Sequence, residues 1–123
     1  MVQSYRDLQV WQKGMDLAAE CYCLTKDFPA DERFGMISQI RRAASSIPAN
    51  IAEGYGRESR GDYIHFLRIA QGSLKELETH LLLATKVEII PAQSTAPILT
   101  QCDELGKMLR ALIRSLQAKD SPQ

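Results

Sequence analysis

The chain has 123 residues, and its 15 lysines and arginines balance its 15 aspartates and glutamates. That length supports one hydrophobic core and excludes two, so residues 1–123 are expected to form a single domain. A net charge of zero excludes a uniformly basic nucleic-acid binder and leaves any electrostatic function to local clusters.

Four apolar stripes at helical spacing, with no sustained strand alternation, predict an all-α protein, an antiparallel up-down-up-down four-helix bundle. The first helix is expected over about 7–27, turning Leu8, Trp11, Met15, Ala18 and Tyr22 inward, with Val10, Leu17, Cys21 and Leu24 widening that face. Phe28-Pro29 ends it, because the residue before a proline is driven out of helical geometry. The second, over about 31–54, carries Ile37, Ile40, Ala44, Ile47 and Ile51, and Gly54 and Gly56 are expected to close it. Pro48 stands inside this helix, where its missing N–H and its clash with the Ala44 carbonyl cost ~3 kcal/mol. A kink is expected there, with Ser45 or Ser46 satisfying the freed carbonyl. A sharper reading has the kink aim Asn50, Glu53 and Arg57 at a partner.

Ser59 is the expected N-cap of a third helix over about 59–88, whose stripe is Tyr63, Leu67, Ala70, Leu74, Leu77, Leu81 and Ala84. The fourth is expected over about 95–118, capped near Thr95 so that Pro97 falls in its first turn, with Ile98, Cys102, Leu105, Leu109, Leu112 and Leu116 inward. Ile64, Gly72, Leu82 and Leu83 fall away from the third stripe, and small residues such as Gly72 and Ala49 admit a neighbouring helix. That surplus predicts self-association, through an interface of Arg42, Asn50, Glu53, Gly72, Leu82 and Leu83.

The spacing of chemistry-bearing residues argues against an enzyme. A carboxylate-bridged metal pair in a bundle needs two Glu-x-x-His motifs. This chain offers one Asp62-Tyr63-Ile64-His65 and a Glu76/His80 pair, so no metal or cofactor is expected. Gly54-Tyr55-Gly56-Arg57 follows a helix where a phosphate loop would follow a strand, and reads as a terminator. Cys21 and Cys102 fall at core positions, and the three cysteines read as reduced thiols. The remaining signal is basic. Between residues 41 and 68 stand five arginines, Arg41, Arg42, Arg57, Arg60 and Arg68, against Glu53, Glu58 and Asp62, and Lys107, Arg110 and Arg114 make a one-sided stripe on the fourth helix next to Asp103 and Glu104. Such a stripe suits RNA backbone phosphates, and repetition around an oligomer multiplies its grip. Tyr55 is the one expected platform for stacking a base. No apolar run nears the ~20 residues of a membrane span and no leader pattern opens the chain, so the expected location is cytoplasmic.

Leu8-Gln9-Val10-Trp11, the stretch Gln39 to Arg57 with its Ile47-Pro48-Ala49-Asn50-Ile51-Ala52-Glu53-Gly54-Tyr55-Gly56 centre, and Phe66 to Thr79 together carry a resemblance. From about Leu8 to Leu116 the chain resembles the four-helix bundle protein family, which includes proteins encoded in intervening sequences of bacterial large-subunit ribosomal RNA genes. It also looks similar to the accessory variability determinant of diversity-generating retroelements. The resemblance implies the same fold and a ring of five subunits, a homopentamer. Residues and resemblance together predict a non-enzymatic homo-oligomer that binds structured RNA or a ribonucleoprotein through repeated basic surfaces. The alternative is a protein-interaction adaptor or scaffold with no nucleic-acid contact.

Overall fold

The computed structural model describes residues 2–120, apart from the side chains of Arg33 and Asp120, and assigns most of them to four long helices. These are α1 (Gln9–Thr25), α2 (Ser38–Tyr55), α3 (Arg60–Lys86) and α4 (Ala92–Asp120). There is no strand among the described residues. Local chemistry sets the ends. Ser4 and Asp7 cap each other's backbone across a single 3-10 turn at Tyr5–Asp7, and Leu8 is extended, so α1 starts at Gln9 rather than Asp7. The chain before α2 does not follow α-helical geometry from residue 31: a 3-10 turn (Ala30–Glu32) and a π turn (Arg33–Ile37) with non-helical Gly35 precede Ser38. Ser59 caps α3 as expected, accepting from the Asp62 N–H at 3.0 Å.

At the far end of α3, Glu88 takes a left-handed φ of 65°, and the Ile89 N–H reaches back to the Ala84 carbonyl. This is a Schellman stop made without glycine. Helix α4 begins three residues earlier than the proline rule placed it, at Ala92, so Pro97 lies in the second turn. Pro97 and Gln93 are both exposed, which leaves the Gln93 carbonyl, deprived of its usual donor, open to water. Thr95 is buried one turn inside the helix and donates to the Ala92 carbonyl instead of capping.

α1 packs on α2 and α4, and α3 packs on α2 and α4, so the four helices close around one core. Two contacts fix the direction of each α2 seam. Gly14 lies against Pro48 while Thr25 bonds Arg41, and Ser46 meets Ser73 while Gly54 meets Phe66, so both seams are antiparallel. Ile40, Ile47, Ile51, Leu67, Leu74, Leu77, Leu81, Leu105 and Leu109 are fully buried, each contributing about 1.5–3 kcal/mol by leaving water. The stripe of α3 matches the periodicity, with Tyr63 half-buried at its end. In α4, Ile113 is buried and Leu112 only half-buried.

The inward face of α1 departs from expectation. Val10, Gly14, Leu17, Ala18 and Cys21 face the core, whereas Met15 and Tyr22 are 46% and 43% exposed and Trp11 is half-buried. The reason lies across the seam: a Cβ on Gly14 would sit 3.5 Å from the Pro48 Cβ, so the smallest face of α1 meets the proline of α2. Pro48 itself is buried, and α2 runs unbroken through it. Neither serine serves the Ala44 carbonyl. Ser45 donates to the Arg42 carbonyl, and Ser46 turns to Ser73. Gly54 does not terminate the helix. It is buried one residue before the end, and an added Cβ would stand 2.8 Å from the Phe66 Cβ. Gly56 caps with ordinary right-handed geometry.

Candidate functional site

The expected basic residues separate into those tied into the fold and those left on its surface. Arg41 is tied: its Nε donates to Thr25 Oγ1 at 2.8 Å, and its guanidinium lies 4.6 Å from the centre of the Tyr22 ring. Thr25 in turn donates to the Cys21 carbonyl, so Arg41 clamps the end of α1 to α2. Arg57 pairs with Glu53 at 3.4 Å and covers the Phe66 ring at 4.7 Å. Arg60 is the exposed first residue of α3. Arg42 is exposed beside Ser45, Ser46, Ala49 and Glu76 on the α2–α3 groove. Lys107, Arg110 and Arg114 are all exposed on α4, and within the described residues none of the three has a hydrogen-bond or ion-pair partner.

The last of the five arginines between residues 41 and 68 joins that stripe. Arg68 of α3 lies across from Arg110, and the two line a groove of about 370 Å3 with Gln71, Gly72, Leu74, Lys75 and Gly106. Arg68 is likewise without a partner among the described residues, while Lys75 reaches Glu78 at 3.2 Å. The sequence carried a signal: Arg68, Gly72 and Lys75 recur at spacings of four and three, which places them on one side of a helix. What the spacing did not show is that Gly106 of α4 lies opposite.

A second groove, about 480 Å3 and almost wholly apolar, runs between α1 and α2. Tyr5, Trp11, Met15 and Tyr22 wall it, and Ala18, Pro48, Ala49 and Ala52 floor it. Tyr5 and Trp11 meet edge to face at 5.3 Å. It exists because α1 turns its small face to Pro48 and leaves its bulky stripe outside. Leu82 and Leu83, on α3, are 55% and 43% exposed. Gly72 is also exposed, and a Cβ there would meet nothing within 4 Å.

Asn50, Glu53 and Arg57 do not form one group. Asn50 is half-buried, and its Nδ2 donates to the Ser46 carbonyl and hydroxyl at 2.8 and 2.9 Å, while the Ser46 and Ser73 hydroxyls share a 2.8 Å bond. This chain of bonds knits α2 to α3, and the Glu53–Arg57 pair sits apart on the surface. Tyr55 is half-buried with its ring edge-on to Tyr63 at 6.0 Å, so it is no open stacking platform. Burial, with a smaller push from Tyr55, raises the pKa of Tyr63.

His80 lies 3.5 Å from Glu76 and His65 is exposed beside Phe66. Among the described residues no three His, Cys, Asp or Glu side chains converge on a metal position. Cys21 and Cys102 are fully buried, Cys23 is exposed, and all three are free thiols. Burial first, then Glu20 for one and Glu78 for the other, pushes both buried thiols up to about 12, which leaves neither a nucleophile at neutral pH. Among the described residues no helix is long and apolar enough to cross a membrane.

The family model of the 23S rRNA-intervening sequence protein matches residues 6–111. The fold is similar to that of a crystal structure described as a protein with unknown function from the S23 ribosomal protein family of Bacteroides thetaiotaomicron. The TM-score is 0.76 at 31% identity, covering 85% of this chain and 97% of that one. No curated protein matches.

Proposed function

The chain belongs to the 23S rRNA-intervening sequence protein family, and we propose that it acts without catalysis, as a self-associating helical bundle that holds a structured RNA or an RNA-bound protein. The observation that carries this reading is the row Lys107, Arg110 and Arg114, exposed and unpartnered among the described residues, with Arg68 facing it from α3. In a chain of zero net charge, four exposed cations on neighbouring helices, none of them ion-paired within the described residues although Asp103 and Glu104 stand one turn before Lys107, favour an external polyanion. Self-association is supported by the two exposed apolar surfaces, the α1–α2 groove and the Leu82/Leu83 edge of α3. If these two unlike surfaces meet each other, copies join head to tail, a contact that closes into a ring when the rotation allows; five subunits is the number that the family resemblance implies. Repetition of the basic row around such a ring raises avidity without any new contact.

The test has two parts. Light scattering at micromolar concentration reports the mass, and a monodisperse monomer overturns self-association. RNA affinity measured against salt should fall with a slope of about −0.9 for each duplex phosphate neutralised. Reversing Lys107, Arg110 and Arg114 to glutamate should abolish binding while leaving helicity and mass unchanged. The apolar α1–α2 groove favours a second reading, an adaptor that captures proteins only. Absence of RNA affinity at low salt, with assembly intact, selects it.

A further inference from the structure

The geometry points to a seat for a phosphoryl group in the α3–α4 groove, held between Arg68 and Arg110 over the bare backbone of Gly72. Three cations and no carboxylate line this groove of about 370 Å3. Arg68 and Arg110 approach from opposite helices, and within the described residues neither is neutralised by a partner. Two guanidinium groups on facing walls repel each other until an anion enters, and each offers a planar fork of N–H donors that matches a phosphate's oxygens two at a time. Lys75 adds a third charge at the rim, where Glu78 holds it at 3.2 Å. Gln71, half-buried beside them, supplies an amide donor.

Gly72 is the second, independent observation. Glycine is the weakest helix former after proline, and this one stands in the middle of a 27-residue helix. Packing within the protomer does not demand it, since an added Cβ meets nothing within 4 Å. Gly61 is equally open, but it lies in the first turn of α3, where a poor helix former matters less. A glycine that no neighbour requires, on the wall of a cationic groove, leaves space for a group coming from outside. Across from it Gly106 keeps the other wall low, its missing side chain facing the Leu74 Cδ2.

For the ligand's source the inference rests on the RNA reading above, in which the phosphoryl group is a backbone phosphodiester. A free phosphorylated small molecule presents the same chemistry. The decisive substitution is Gly72→Met, which fills the seat without changing any charge and strengthens the helix, so lost binding cannot be a folding failure. With structured RNA as probe, Gly72→Met and Arg110→Gln should each weaken binding about tenfold and lower the salt slope by about 1. Inorganic phosphate and pyrophosphate, titrated separately, should shift the Arg68 and Arg110 Nε–H signals in NMR spectra of the parent but not of Gly72→Met. If Gly72→Met binds RNA like the parent while the Lys107/Arg110/Arg114 reversal abolishes binding, the seat is overturned and the RNA reading stands. If RNA never binds but the phosphates shift those signals, the seat stands and serves a small phosphorylated ligand. Loss of the oligomer in Gly72→Met would make the position a subunit contact and overturn the seat, as would an absence of both RNA binding and phosphate shifts.

Discussion

Gly54 and Gly72 are both glycines inside helices, and they show how differently the two sides of α3 are built. On the α2 side a Cβ at Gly54 would come within 2.8 Å of the Phe66 Cβ and 3.1 Å of the Tyr63 carbonyl, so the backbones of α2 and α3 approach until only hydrogen fits. On the α4 side Gly72 faces open space at the edge of a cationic groove. One glycine is required by the protein's own packing and the other is not. A seam closed to this degree positions its neighbours, and a groove left open presents them.

The largest effect expected from this contrast is at Gly54. Gly54→Ala forces a backbone-proximal clash that no flexible side chain relieves, and should cost about 1–3 kcal/mol, read as a lower melting temperature. An unchanged melt would mean that α3 slides freely on α2 and that the seam is no tighter than the groove. Next comes the polar stitch on the same seam. Ser73 is 9% exposed and shares its hydroxyl bond with Ser46, which also accepts from Asn50. Ser73→Ala should cost about 1 kcal/mol. Asn50→Ala added to it should cost less than its effect alone, because both act through Ser46. Strict additivity would show that the bonds work separately.

The sequence disclosed one of these two sides better than the other. The stripe from Leu67 to Ala84 was legible because its spacings of three and four allow one inward face. Helix α1 carries two apolar stripes, and the bulkier was the natural choice for the core. The contact of Gly14 with Pro48 reverses that choice, and a contact between residues 34 apart leaves no trace in periodicity. The same limit explains Gly54, read as a terminator when its role is close approach, and Arg41, grouped with the candidate RNA contacts although Thr25 and Tyr22 hold it. Lys107, Arg110 and Arg114 were legible because exposure follows directly from helical phase. Arg68 was not assigned with them, since its value depends on which helix stands beside α3. In general, what one helix determines was readable, and what two helices determine jointly was not.

Gly72→Ala sharpens the contrast from the other side. With nothing for the new methyl to strike, the substitution should stabilise the protein by about 0.5–1 kcal/mol through helix propensity alone. The sign is thus opposite to that at Gly54, although the chemical change is identical. Destabilisation instead would reveal a neighbour at Gly72 that a single protomer does not contain, and light scattering of the variant would then show a smaller assembly.

The smallest expected effect lies where the tight seam runs out into solvent, at Glu53 and Arg57. Their 3.4 Å contact joins side chains that are 56% and 45% exposed, so water and salt screen it and two long side chains must be held still to keep it. Glu53→Gln should therefore cost only about 0.2–0.5 kcal/mol, and less at high salt. Arg57→Ala should cost somewhat more, about 0.5–1 kcal/mol, because its guanidinium also lies over the Phe66 ring, the same side chain that closes on Gly54. Measuring both melts in low and high salt separates the two contributions, since the ring contact is less screened than the ion pair. A cost above about 1 kcal/mol for Glu53→Gln is more than an exposed pair supplies. It would place Glu53 against a second subunit, where a stranded partner is costly, and would move the boundary between the closed seam and the presenting surface outward to Arg57.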